Sequence, residues 1–452
     1  MWVHALRVVR PRQAVGRATR PVRRRRFPGG PREPFRPLVE NEALWRSPAY
    51  ASSASAPDPG SRLEAFERHY GSDVLEATRS SSDAARLAAA WTSANPPRND
   101  DAWHPYAAST RAIAWIAAAT LDPTLGPVVV DGVRRALARV EANVEDDVLG
   151  NHVIRNATAL VLGGVAFGDA RLRRRGEALL RRELPQQVLP DGGHYERSPA
   201  YHRLVLRDLL TVRPFVDVEE PVARMTGFAV ASTRPDGAPW LFNDGGLDTS
   251  PQLELAAPGE GTSVFTDTGY VFVRRGDVAL AFDCGPVSPT FLPAHAHADG
   301  LSFQLWLKGE PVVCDPGMAT YEAGPERDFL RSTQAHSTVA IAGSQFEPWG
   351  AFRAGPLPHV ELLEAAPDAL TGRVRTKGTE HIRTIRLEPD AILVEDDVRG
   401  GEVVSTLVVA RTSLPIEASL EPRALSERLG ERRPLHAYVR EGSAPVWRIP
   451  IG

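Results

Sequence analysis

Gly269-Tyr270-Val271-Phe272-Val273-Arg274-Arg275, followed at once by Val278-Ala279-Leu280-Ala281-Phe282, marks where the chain changes its hydrophobic period. Both are short runs of β-branched and aromatic residues bounded by Gly and Asp, and both read as strands. From about residue 262 onward the period is two. Leu301–Leu307 and Pro311–Cys314, joined by Lys308-Gly309-Glu310, read as a hairpin. Further strands are expected at Ser337–Ala342, Leu370–Thr376, Ile382–Leu387, Ala391–Val398 and Val403–Val409.

Upstream, from about 60 to 232, apolar residues recur every three or four positions, beginning at Arg62–Tyr70. Helices are expected at Thr110–Ala119, Val128–Val144, His152–Ala166, Ala170–Leu184, Ala200–Val212 and Pro221–Ala231. Short turns such as Gly168-Asp169 and Pro190-Asp191-Gly192-Gly193 separate them. A block of helices followed by a block of strands predicts two segregated domains, an all-α one and an antiparallel β-sandwich. The expected division is a basic, poorly ordered arm over 1–40, a helical domain over 41–245 and a β-domain over 246–452. The Pro- and Gly-rich segment 233–258, which contains Asn243-Asp244-Gly245-Gly246, reads as the linker.

The 452 residues are 42% hydrophobic and 24% charged, with a net charge of -3. That is a globular composition, too long for one ordinary core, and it does not suit a nucleic-acid partner. Nearly all basic residues are Arg; Lys308 and Lys377 are the only lysines. Cys284 and Cys314 lie in apolar runs and read as buried thiols. No window is apolar enough to span a membrane. Arg23-Arg24-Arg25-Arg26-Phe27 has no hydrophobic segment after it, so no export signal is read and a cytoplasmic location is expected.

Two constellations carry chemistry. His295 and His297 are two apart, so on a strand they share a face. Asp315 follows eighteen residues after His297, and His336 opens a later strand. A His₂Asp set of this kind suits a divalent ion with a position left for water. In the helical half, Asn151-His152 opens one helix. Asp191-Gly192-Gly193-His194-Tyr195-Glu196-Arg197-Ser198-Pro199-Ala200-Tyr201-His202 crowds ionisable groups into the start of another, with Ser198 or Pro199 beginning that helix.

These motifs, together with His295-Ala296-His297-Ala298-Asp299-Gly300-Leu301-Ser302-Phe303, Asp315-Pro316-Gly317 and Arg331–Val339, resemble the heparinase II/III-like polysaccharide lyases, over roughly residues 60–410. The resemblance implies an incomplete (α/α) toroid followed by an antiparallel β-sandwich, with the cleft between them. It also implies β-elimination on an acidic, uronate-containing poly- or oligosaccharide. By position, Asn151 would hold the uronate carboxylate with His152 beside it. Tyr201 would be the acid at the glycosidic oxygen, with a base role also open to it, and His295 would face the cleft. His297, Asp315 and His336 match the metal ligands of a structural ion, expected to be zinc. Tyr195, Glu196, His202, Tyr321 and Arg331 are further expected substrate contacts. Two rival readings stand beside this one. The first is a non-catalytic glycan-binding protein stapled by the metal; the second is a cupin-like metal oxygenase, which leaves the helical motifs unexplained.

Overall fold

The computed structural model describes residues 8–23, 29–50, 61–97, 99–410, 419–425, 433–441 and 446–451. The helical half comprises α1 (Pro11–Arg23), α2 (Glu42–Arg46), α3 (Arg62–Glu67), α4 (Ser72–Arg79), α5 (Ala84–Ala94), α6 (Pro105–Leu121), α7 (Pro127–Ala142), α8 (Asn151–Ala166), α9 (Ala170–Gln187), α10 (Pro199–Val212) and α11 (Glu219–Ala231). Each long helix packs on its sequence neighbour, and α8 also meets α6 and α10. Helix α6 is buried on nearly every face, and its alanines let neighbours approach closely. Where Gly132 of α7 faces it, a Cβ would come within 2.0 Å of the Trp115 ring. Only glycine fits that crossing.

The β-domain is two stacked sheets. The larger runs β1 (Gly261–Phe265), β2 (Tyr270–Arg275), β3 (Val278–Asp283), β4 (Phe303–Leu307), β5 (Glu310–Val313), β13 (Val403–Val409), β15 (Arg433–Glu441), β14 (Ser419–Leu425), with β6 (Val339–Ile341) paired to β13. The smaller runs β16 (Val446–Pro450), β12 (Ala391–Arg399), β11 (Glu380–Leu387), β10 (Ala369–Arg375), β9 (His359–Ala366). A two-stranded ribbon, β7 (Pro348–Trp349) and β8 (Arg353–Ala354), a short helix α12 (Pro325–Leu330) and four 3-10 turns complete the described elements.

Alternation on β2 and β3 sets two interfaces. Val271, Val273, Leu280 and Phe282 face the second sheet and pack with Leu370, Ile385 and Val394. Tyr270, Phe272, Ala279 and Ala281 face the other way and pack with Phe228 of α11, Trp240 and Phe242. The sheet is therefore covered on both faces, and the second face joins it to the helical half.

Two expectations are corrected here. The N-terminal arm is not loose where it is described. Helix α1 docks on the helical domain through Arg12–Glu183 (2.5 Å) and Arg20–Asp147 (3.0 Å), and Arg23 donates to the Val144 carbonyl (2.7 Å). The segment 233–258 is not a plain linker either: Trp240, Leu241, Phe242, Asn243 and Asp244 are buried. Cys284 and Cys314 are buried and in no disulfide among the described residues, as expected.

Candidate active site

A cavity of about 950 Å³ opens where the helical half meets the β-domain, and Asn151, His152, Glu196, Tyr201, His295 and Tyr321 all line it. Chain geometry sets Asn151. Leu149 (φ 75) and Gly150 (φ 61) both adopt left-handed backbone just before α8. Leu149 is an unusual residue for that conformation, and it is held by burial against Tyr195 and Leu292. A Cβ on Gly150 would lie 2.2 Å from Glu196 Oε1. That oxygen instead accepts the Asn151 backbone N–H at 2.8 Å, so a carboxylate closes the positive end of α8. Asn151 is the first helical residue and Gly150 the cap.

His152 pairs through Nδ1 with Glu145 Oε1 at 2.9 Å, and Asn156 donates to the other Glu145 oxygen at 3.0 Å. Burial drives the Glu145 carboxyl up, but His152, His104 and these hydrogen bonds outweigh it and hold the carboxyl at about 2. Burial in turn pulls the His152 imidazole down, and Glu145 overrides it, leaving the ring above its usual range. His152 is thus a cation-favouring ring beside Asn151, suited to a carboxylate.

Ser198 caps α10, accepting from the Tyr201 N–H at 3.2 Å, with Pro199 at the first helical position. That cap presents Tyr201 to the cavity. Its ring stacks on His295 with centroids 3.9 Å apart, and its hydroxyl lies 2.9 Å from the Tyr321 hydroxyl. Burial, with Tyr321 and Asp244 adding to it, pushes the Tyr201 phenol well above its usual value. It is a protonated donor at neutral pH.

His295 and His297 lie on the loop before β4, not on a strand, and one buried residue organises both. Asp244 Oδ2 is 3.0 Å from His295 Nδ1, and Oδ1 is 2.9 Å from His297 Nε2. Arg327, fully buried, reaches the same carboxylate, with Nη2 donating to Oδ2 at 2.6 Å. Burial favours the neutral acid, but Arg327 and the two imidazoles keep Asp244 well below the usual carboxylate range. On its other ring nitrogen, Nε2, His295 meets Glu196 at 3.2 Å.

A cation-ready cluster sits behind His297. Ligand atoms of His297, Asp299 and His336 all lie within 4.8 Å of one another, in full burial. Among the described residues, His297 Nδ1 and both Asp299 oxygens have no hydrogen-bond partner. Burial and mutual repulsion push Asp283 well above its ordinary value, and Asp299 is also raised despite His336 and His297. Orphaned buried carboxylate oxygens beside imidazoles fit a divalent ion. The expected ligand Asp315 is displaced from this trio. It accepts from the Gly317 N–H at 2.8 Å and sits 2.7 Å from His336 Nδ1, so it orients that ring. Asp299 takes the converging place because the loop turns its carboxylate into the cluster. The other His336 nitrogen faces the Leu330 carbonyl at 3.0 Å.

Other expected contacts divide. Glu196 and Tyr321 line the cavity. Tyr195 is buried just behind it, its hydroxyl accepting from the Gly150 N–H at 3.0 Å. His202 does not line the cavity. Its Nε2 faces the Met225 carbonyl at 2.8 Å, its Nδ1 accepts from the His194 N–H, and burial brings the ring down to about 4. Arg331 is likewise spent on backbone, donating to the carbonyls of Ala296 and Gly350 (both 3.0 Å), which pins the His295–His297 loop. Residues that sequence reasoning missed are Asp244, hidden in an Asn-Asp-Gly-Gly turn signature, and Glu145 and Arg155, which carry no motif.

The family description "Heparinase II/III N-terminus" matches residues 140–249, and "Heparinase II/III-like, C-terminal" matches residues 257–422. FtsZ-localized protein C of Caulobacter vibrioides is 26% identical over 376 residues, 74% of this chain and 60% of that protein. A heparin-sulfate lyase of Bacteroides stercoris is 23% identical over 240 residues, 42% of this chain and 35% of that protein. The chain thus spans about a third to three-fifths of the length of these relatives. Among solved structures, a heparinase III superposes with a TM-score of 0.65 at 15% identity, covering 81% of this chain and 72% of that one. The fold is that of these structures, an incomplete helical toroid followed by an antiparallel β-sandwich.

Proposed function

Because this chain belongs to the heparinase II/III-like family, we propose that it is a polysaccharide lyase that cleaves a uronate-containing glycan by β-elimination. The observation that carries the reading is the convergence of Asn151, His152, Tyr201 and His295 on one cavity from both domains. In this reading Asn151 and the Glu145-backed His152 hold the uronate carboxylate. They stabilise the enolate-like charge that develops when the C5 proton leaves. His295, with Nδ1 fixed by Asp244, removes that proton at Nε2, and Glu196 beside Nε2 offers it an onward acceptor. Tyr201, kept protonated by burial, donates its proton to the departing glycosidic oxygen as the C4–O bond breaks and the C4–C5 double bond forms. No hydrolytic water is required.

A divalent ion, zinc by its imidazole and carboxylate donors, would be held by His297, Asp299 and His336 and would brace the loop that carries His295. The family and the helical half leave the oxygenase alternative without support.

The likeness to FtsZ-localized protein C covers more of this chain than that to the heparin-sulfate lyase. It favours a second reading, in which the cavity binds glycan at a place set by FtsZ without turning it over. One assay separates the two: ultraviolet detection of unsaturated uronate ends after incubation with heparan, hyaluronan, alginate and glucuronan oligosaccharides. Elimination on any of them supports the lyase; binding without product on all of them supports the second reading.

A further inference from the structure

Arg155 lies one turn beyond Asn151 and His152 on α8, lines the same cavity and is only 3% exposed. Its guanidinium has five N–H donors. Its contacts are an ion pair with Asp208 (3.1 Å to Oδ1) and the face of Tyr106 (5.9 Å to the ring centroid). Among the described residues its Nε has no hydrogen-bond partner. Arg207 comes to the same wall from α10, over the Tyr50 ring at 5.1 Å. Among the described residues it donates to the Ala49 carbonyl at 3.3 Å, and its Nε is also unpartnered.

Asp208 pairs with Arg155, and among the described residues Arg207 forms no ion pair. Two permanent cations therefore stand beside one buried carboxylate in the wall of a cavity. Uncompensated buried charge is costly, and unspent guanidinium donors are matched by an oxyanion. His152 is different, because Glu145 already supplies its counter-charge.

We propose that Arg155 and Arg207 form a second oxyanion subsite, which takes a sulfate ester or a carboxylate on the sugar adjacent to the reacting uronate. Arg155 follows Asn151 by four residues, about 6 Å along the helix axis. The Tyr106 ring spans the gap, 4.4 Å from the His152 ring. Two neighbouring substituents of one oligosaccharide fit such a pair of sites. That this sugar belongs to a substrate rests on the lyase reading; the oxyanion binding does not.

The test is calorimetric titration of the full chain at constant ionic strength, with sodium sulfate and sodium glucuronate as probes, beside lyase assays of the same proteins. Wild type is expected to bind at least one probe saturably. Arg155→Met and Arg207→Met should each weaken it by about tenfold or more, while Asn151→Ala keeps sulfate binding within about twofold. Arg207 is less buried than Arg155, so its variant stands if Arg155→Met fails to fold. Loss of sulfate alone assigns a sulfate ester, and loss of both probes assigns a general oxyanion site. Absence of saturable binding to wild type, or wild-type affinity in both Arg variants, overturns the proposal. If sulfate binding follows the Arg residues and no glycan is cleaved, the subsite stands and the lyase reading falls.

Discussion

Asp244 Oδ2 lies 3.0 Å from His295 Nδ1, and this contact ties a cavity-facing ring to a fully buried carboxylate. The other Asp244 oxygen holds His297, one of the three residues of the cation-ready cluster. One side chain thus sets the orientation of both rings of the His-x-His motif. Asp244→Asn keeps the shape and removes the charge, leaving buried Arg327 without its counter-ion. Stability should fall by on the order of 3 kcal/mol, read by urea unfolding, and any lyase kcat should drop with it. Wild-type stability in the variant would show that the carboxylate is not what holds Arg327.

Glu145 should govern the charge of His152. In Glu145→Gln the imidazole should titrate lower than in wild type, followed by NMR of the ring protons. In wild type, KM should rise as pH climbs through the raised His152 value, because the protonated ring that binds carboxylate is lost. An unchanged His152 titration in the variant would remove Glu145 from this role.

Cation uptake should follow Asp299 more steeply than Asp315. Asp299→Asn should abolish stoichiometric metal measured by atomic emission. Asp315→Asn, which acts through His336, should weaken metal affinity by about 10–100-fold. If the metal binds, excess ion at about 100 times Kd should raise stability by about 2.7 kcal/mol, and a chelator should reverse the gain. Equal metal content in the Asp299 variant and wild type would remove Asp299 from the ligand set.

Stability should decline on mild acidification. Burial holds His202 at about 4 and His194 and His381 below their usual range. In the unfolded chain these rings titrate near about 6.5, so between that value and about 4 the unfolded state binds more protons. Stability is then complete above about 6.5 and is lost as pH falls through that window. His202→Asn should reduce the slope by up to about 1.4 kcal/mol per pH unit, read from urea midpoints at several pH values. An unchanged slope would show that His202 takes up its proton equally in both states.

Long, strongly periodic elements were legible. The expected helix at His152–Ala166 is α8, that at Ala200–Val212 is α10 after its Ser198 cap, and the strands at 269–282 are β2 and β3. These depend on local spacing and caps. Helix α1 was not legible, because its Arg- and Pro-rich residues are ordered by distant partners such as Glu183 and Val144. Strands β1 and β9 were missed because they are short of buried residues. At the site, Asn151, Tyr201 and His295 could be read from motifs. Asp244 could not, since Asn-Asp-Gly-Gly is locally a turn and only tertiary packing brings its carboxylate under the His-x-His loop. His202 and Arg331 misled for the opposite reason. They are polar and in a motif, yet their hydrogen bonds are spent inside the protein.

In the proposed lyase reading, Tyr201 delivers a proton to the leaving oxygen in an elimination on uronate glycan. The most direct measurement compares wild type with Tyr201→Phe by the ultraviolet absorbance of the conjugated C4–C5 double bond across the uronate oligosaccharide panel. Unsaturated product is expected from wild type on at least one substrate. A loss of about 10²–10⁴-fold in kcat is expected for Tyr201→Phe, with its fold intact. No unsaturated product from wild type on any substrate, or undiminished turnover by Tyr201→Phe, would contradict this reading.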